Sequence, residues 1–202
     1  MRYARKGFAE AGMRPKLRLP SLRAGLIRLN RDVLDLHYAL SEWSYPQELC
    51  SLDIMIVLLE DRRFFNHIGI DLKSFAREIW KAITFRRHGG ASTIDMQFVR
   101  TVTGYKKKTL SRKLYESILS VTIHSRYTKM QILRGYMNCA YFGWGLRGVS
   151  EVSHSHFGNY YWDLTLQQAA EIASMLVYPK PKLVTAAWVR KVERRAEYGM
   201  KL

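Results

Sequence analysis

The sequence predicts a mainly α, single-domain protein. Three observations carry that expectation. Apolar residues recur at helical spacing through most of the chain, helix-capping residues precede several of those stretches, and no run alternates apolar and polar residues as a strand would. With 202 residues, 48% of them hydrophobic and 12% aromatic, the chain is long and apolar enough to bury one sizeable core, and disorder is excluded as its general state.

The elements follow in order. Residues 1–20 read as a basic N-terminal arm ended by Pro20, and 21–202 as one domain. Leu26, Leu29, Val33, Leu36 and Leu40 mark a helix over Leu22 to Leu40. Pro46 interrupts, and the apolar run Leu49 to Leu59 reads as a buried helix ending near Glu60. Asp71 can cap a helix carrying Phe75, Ile79, Trp80 and Ile83. His88-Gly89-Gly90 is a flexible break, after which Ser92, with Asp95 three residues on, starts a helix in capping-box fashion. Lys106-Lys107-Lys108 lies in a turn-like connection. Thr109 or Ser111 then starts a helix through Leu114, Ile118 and Val121 to about Ile123. Lys129 to Asn138 forms the next, with Ile132, Leu133, Tyr136 and Met137 inward. Tyr141 to Gly148, rich in glycine and aromatics, reads as a loop. Thr165 and Gln168 box the start of a helix whose inward face is Ala169, Ile172, Ala173 and Leu176, ended by Pro179 and Pro181. A last amphipathic helix places Trp188, Val189, Val192 and Met200 on one side.

The net charge of +16 draws the chain towards phosphates, whether on nucleic acid, an anionic membrane or a small ligand. The first 31 residues hold nine basic residues against Glu10 alone. Each adds about 1 kcal/mol of attraction near an anionic surface, so the arm is either a surface anchor or a solvated tail. Cys50 and Cys139 make no disulfide framework and no zinc spacing, and sit in apolar surroundings as free thiols. No apolar run reaches the ~18–20 residues that span a bilayer, and no signal-peptide core is visible.

Three polar clusters carry chemistry. Glu60-Asp61-Arg62-Arg63-Phe64-Phe65-Asn66-His67-Ile68-Gly69 follows the apolar run Ile54 to Leu59. Glu60 abuts that run, so desolvation suits it to proton transfer, and Asp61 would orient a neighbour; the pair alone also reads as a surface salt bridge. Ser92 and Thr93 follow a glycine break at a helix start, a geometry that binds anions or simply caps a helix, with Gln97 and Arg100 on later turns. Arg112, Lys113 and Glu116 share a face opposite Leu114, Ile118 and Val121. That face is either a solvated ion-pair surface or a second carboxylate with two cations that hold a pyrophosphate. Lys129 and Asn138 would add a cation and an amide. Two distant carboxylates with cations between them suit glycosyl transfer from a lipid pyrophosphate: one takes a hydroxyl proton while the cations stabilise the leaving group.

In these residues the chain resembles the peptidoglycan glycosyltransferases of glycosyltransferase family 51, the monofunctional transglycosylases and the transglycosylase domains of bifunctional penicillin-binding proteins. Glu60, Asp61, Phe64, His67 and Gly69 match the first family motif. Gly90, Ser92, Thr93, Ile94 and Gln97 match the second, Arg112, Lys113 and Glu116 the third, and Lys129, Ile132, Leu133, Tyr136 and Asn138 the fourth. The likeness runs from about residue 50 to 185. It implies a lysozyme-like, two-lobed helical domain with a head and a membrane-dipping jaw. It implies polymerisation of lipid II into β-1,4-linked glycan strands with inversion, releasing undecaprenyl pyrophosphate at the periplasmic face of the bacterial inner membrane. The implied roles are Glu60 as general base and Glu116 as assistant to the donor pyrophosphate, directly or through a divalent cation (magnesium or manganese). Asp61, Phe64, His67, Ser92, Thr93, Gln97, Arg100, Arg112, Lys113, Lys129 and Asn138 would bind substrate. The implied partners are lipid II, the growing strand and a membrane surface, with no specific nucleic acid. Met96 stands where the family has the first glutamine of its second motif, Met137 replaces a leucine and His124 an acidic residue, and no tethering transmembrane helix is visible. Met96 and the missing tether support a second reading, a catalytically impaired homologue that binds lipid-linked glycan or a cell-wall partner.

Overall fold

Apolar residues at helical spacing are gathered into a bundle around a few helices buried on nearly all sides. The computed structural model describes residues 22–41, 48–84, 92–105 and 109–202. The basic arm, Pro46, the His88-Gly89-Gly90 break with Ala91, and Lys106-Lys107-Lys108 lie outside the described residues. Among those described, α1 is Leu22–Ser41, α2 Ser51–Glu60, α3 Leu72–Ile83, α4 Ile94–Thr103 and α5 Leu110–His124. They are followed by α6 Lys129–Cys139, a hairpin of β1 Tyr141–Gly143 and β2 Leu146–Arg147, α7 Val149–Phe157, α8 Leu166–Met175 and α9 Ala186–Met200. The mainly α expectation holds.

Local chemistry explains where the helices begin. Thr93, Thr109, Thr128, Thr165 and Thr185 each accept a backbone N–H three residues on, satisfying a donor that the first turn leaves free. The Thr165–Gln168 box forms as expected, and Thr128–Gln131 forms another. The cap of α4 is Thr93 rather than Ser92, because Asp95 is drawn inward to an ion pair and is not free to complete a box with Ser92.

Packing follows from face composition. α2 is apolar almost all round, and it lies against α8 and α9. α8 offers Ala169, Ala170, Ala173 and Ser174, small side chains that let its neighbours approach closely. α4 is held by α1, α5 and α6, with Phe98, Leu36, Leu40, Leu133 and Met137 fully or almost fully buried around it.

Several expectations are corrected. Tyr141 to Gly148 is not a plain loop: it folds into the antiparallel hairpin, and Gly143 bridges to Lys180. Gly143 has φ +148°, and a Cβ there would meet Lys180 backbone atoms at 2.5 Å, so only glycine admits this contact. α7 is an unexpected helix, buried through Val149, Val152 and Ser153. Met200 is exposed, while Val192 is buried as expected and the inner face of α9 continues through Ala196 and Gly199. Leu26 is exposed on α1, where Asp32 is buried.

The largest correction concerns α5. Leu110, Leu114 and Ile118, its apolar stripe, are 81%, 64% and 49% exposed. Glu116, Leu119, Ser120 and Ile123 face inward. The helix is turned so that its carboxylate is buried, which is tolerable only where cations meet that carboxylate inside.

Candidate active site

The buried α2 ends with Glu60 at the junction of α4, α6 and α9. Its Oε1 accepts from the Arg195 guanidinium of α9 at 2.9 Å, and its Oε2 accepts from Gln97 Nε2 at 3.2 Å. The Tyr136 hydroxyl donates to Gln97 Oε1 at 2.7 Å, which fixes the amide with its NH2 towards Glu60. Burial holds the Tyr136 phenol well above its ordinary range, so it remains a donor.

One turn along α4 stands Arg100, on the same face as Gln97. It forks onto Glu116, with Nε to Oε1 at 3.1 Å and one terminal nitrogen to Oε2 at 3.0 Å. Arg112 adds a third bond to Oε1 at 2.7 Å. Glu116 is 0% exposed, with both oxygens occupied, while Arg100 remains partly open to solvent. Glu60 and Glu116 therefore converge, each bound to one of two residues a single turn apart on α4. Two guanidiniums against one carboxylate leave a net positive charge beside Glu60, an arrangement that attracts an anion.

Beneath this pair lies a second layer. Asp61 Oδ2 accepts from Ile94 N–H at 3.1 Å and from His67 Nε2 at 2.9 Å. Gly69 N–H donates to His67 Nδ1 at 3.2 Å, which assigns the proton to Nε2. The Thr93 hydroxyl donates to Gly69 O at 2.7 Å. Lys129 reaches both oxygens of Asp95 at 3.1 and 2.9 Å and lies 4.4 Å from the centre of the Phe64 ring. Burial pushes the Asp95 carboxyl up and the Lys129 ammonium down, and each opposes the other's shift. Asp61, Phe64, His67 and Thr93 are buried and Lys129 largely so; they pin the start of α4 to the turn after α2 and to α6 rather than lining a groove. Ser92 is half-buried just before the cap. Lys113 borders an apolar cleft of about 360 Å³ with Ile70, Leu72, Met96, Leu110 and Leu114. Asn138 lies at the far end of α6, its carbonyl against Gly148.

Reading the sequence missed Arg195 and gave Asp95 only a capping role. Arg195 stands among other basic residues of α9 with no local mark, and only the fold brings it across to Glu60. Tyr136 carried a signal, since it belongs to the fourth motif.

A divalent cation would need several oxygen ligands. At Glu116 two guanidiniums occupy both carboxylate oxygens, so that donor set does not fit one. Asp61, His67 and Asp95 place donor atoms within 4.8 Å of one another, but the Lys129 ammonium, bonded to Asp95 and 3.4 Å from His67 Nδ1, already supplies the positive charge there.

Comparison with known proteins gives a family match. Residues 43–201 match the family described as Transglycosylase. The chain is 36% identical over 130 residues to penicillin-binding protein 2a of Streptococcus pneumoniae, covering 64% of this chain and 17% of that protein. It is 38% identical over 130 residues to a Cupriavidus necator protein bearing the name transglycosylase, covering 64% of this chain and 55% of that one. It is 35% identical over 123 residues to penicillin-binding protein 1A of Aquifex aeolicus, covering 59% and 16%. The chain thus spans about a sixth of the penicillin-binding relatives and about half of the Cupriavidus one.

Proposed function

This chain belongs to the transglycosylase family, a family of glycosyltransferases, and we propose that it polymerises lipid II into β-1,4-linked glycan strands with inversion, releasing a polyprenyl pyrophosphate. The observation that carries the reading is the attachment of Glu60 and Glu116 to Gln97 and Arg100, one turn apart on α4.

In this mechanism the acceptor 4-hydroxyl approaches Glu60. Its oxygen forms a bond to the donor anomeric carbon while the bond from that carbon to the pyrophosphate oxygen breaks. The proton passes to Glu60, and the electron pair leaves with the pyrophosphate. A single displacement inverts the anomeric centre. Arg195 and the Gln97 amide hold the Glu60 carboxylate in place, and Tyr136 holds Gln97. Arg100 and Arg112 meet the charge that grows on the leaving group, where fixed donors cost no reorganisation. Glu116, fully buried, acts through them as a positioning residue. No step is routed through a divalent cation, because the acidic groups present are already met by cations.

The substrate is lipid-linked, and the exposed stripe of Leu110, Leu114 and Ile118, with the apolar cleft behind it, supports contact between this face and a membrane or the lipid tail. No helix among the described residues is long and apolar enough to cross a membrane. The expected location is the outer face of the bacterial inner membrane.

The test is a lipid II polymerisation assay. Wild type yields glycan chains, and Glu60→Gln lowers the rate by about 10²–10⁴-fold, the usual span of a general base, with the fold retained. Met96, an apolar side chain where relatives of this family place an amide, favours the impaired-homologue reading. Absence of chains from the wild type in every detergent, with lipid II still bound, would establish that reading instead.

A further inference from the structure

We propose that the cleft between α1 and the start of α5 binds the phosphate headgroup of an anionic phospholipid. The cleft encloses about 820 Å³ and is lined by Arg28 and Arg31 of α1, by Tyr105 and Tyr115, and by Ser111 and Arg112 of α5. Its one buried acid is already committed. Asp32 accepts the hydroxyl of Tyr105 at 2.6 Å and that of Tyr115 at 2.9 Å, both on Oδ2. These bonds stiffen the two rings, which stand edge to face at 5.9 Å, into a wall. Arg31 approaches the other Asp32 oxygen only at 3.6 Å and is largely exposed. Arg28 has no ion pair among the described residues. On the opposite wall Arg112 spends one nitrogen on Glu116, and its buried Nε has no hydrogen-bond partner. Three cations against two spent carboxylates, Asp32 and Glu116, leave the cleft cationic, and phosphate oxygens suit guanidinium forks.

The helices that carry the cations select the source of the phosphate. α1 also exposes Leu22, Leu26 and Ile27, and α5 exposes Leu110 and Leu114, which line the apolar cleft with Met96. A soluble anion has no use for exposed apolar side chains on the helices that bind it, whereas a phospholipid carries its acyl chains directly beside its phosphate. The cleft also depends on α1, which precedes residues 43–201 matched by the family. The site uses neither Glu60 nor Gln97 but shares Arg112 with the polymerase reading, so only Arg28 and Arg31, which that reading does not use, are varied.

The experiment measures binding of the full chain to vesicles of phosphatidylcholine alone and of phosphatidylcholine with a minority of phosphatidylglycerol. The wild type prefers the anionic vesicles. Arg28→Gln with Arg31→Gln reduces that preference by about ten-fold or more, given two cations each worth several-fold near the surface. A charge-matched control on the remote end of α9, Arg190→Gln with Lys191→Gln, changes it far less. The cleft variant retains its melting temperature and its polymerisation of lipid II in detergent. Equal losses in the two double variants would reduce the effect to general surface charge and overturn the proposal. No preference for phosphatidylglycerol, with inorganic phosphate instead raising the melting temperature in an Arg28- and Arg31-dependent way, would assign the cleft to a free anion and overturn it too. Loss of polymerisation in detergent would place the cleft in the substrate site and would likewise overturn it.

Discussion

At the residue scale, Met96 separates what a motif implies from what a side chain does. In this chain Met96 is 3% exposed, and its side chain walls the apolar cleft beside Leu72, Leu110 and Leu114. Restoring the family's glutamine would put an amide into that wall. A buried amide without partners costs about 1–3 kcal/mol. Met96→Gln is therefore expected to lower the melting temperature without raising polymerisation. A rise in glycan yield at unchanged stability would show that the position faces substrate after all. Gly69 illustrates the opposite case, where the motif residue is required by backbone geometry. It has φ +96°, and a Cβ there would lie 2.6 Å from the carbonyl oxygen of Ser120 on α5. Its carbonyl accepts from Thr93 and its N–H donates to His67, so a shift of the turn would disturb the layer that seats α4. The glycine was visible in the sequence as a motif letter. Its neighbour on α5 was not.

At the element scale, α5 shows how much of the fold a sequence reveals. Periodicity located the helix and separated its two faces correctly, but it could not say which face meets water. The sequence allows the polar face to be either a solvated ion-pair surface or a carboxylate set among cations, and Glu116 is drawn inside here because Arg100 comes from α4 to meet it. α2, α6 and α8 were legible because their burial follows from their own composition. The hairpin after Tyr141 and the helix over Val149–Phe157 were not, since short strands and a Ser- and His-rich segment carry little periodic signal. The inverted α5 makes two opposed predictions. Glu116→Gln leaves the largely buried Arg112 and the partly exposed Arg100 facing a neutral amide; breaking a fully buried pair costs about 3–5 kcal/mol, so the loss is expected below that ceiling, and urea unfolding measures it. Leu114→Ser with Ile118→Ser removes apolar groups that are 64% and 49% exposed, so the loss of stability stays small, within about 1 kcal/mol, while binding to vesicles weakens. If the double serine variant instead unfolds readily, the stripe is a core face and the membrane reading of α5 is wrong.

At the scale of the whole molecule, charge is distributed unevenly between a cationic exterior and a few interior titratable groups, and this sets the response to acid. His124, at the end of α5, and His156, in the last turn of α7, have their imidazoles pushed below the ordinary value of 6.5, in both cases mainly by burial. Lys129 reinforces the shift at His124, while Asp95 opposes it, and Lys180 reinforces it at His156. A folded-state value below the unfolded one means that the unfolded chain takes up protons first as pH falls through 6.5. Stability contributed by the neutral rings is complete above that pH and is lost on acidification until the folded-state values are passed. Asp95, whose carboxyl is raised by burial, contributes with the opposite sign, so a single melting curve against pH would mix the terms. The difference between wild type and His156→Gln isolates one of them. That difference is expected to shrink between pH 7 and pH 5, because the variant has no ring to protonate, whereas a constant difference across the range would mean that His156 titrates normally in the folded chain. Because Lys180 also joins β1 through the Phe142 and Trp144 backbone bonds, the same comparison reports how firmly the hairpin is seated. Hydrogen exchange at the Lys180 amide in acid, faster in the wild type than in His156→Gln, would connect the protonation to that seam.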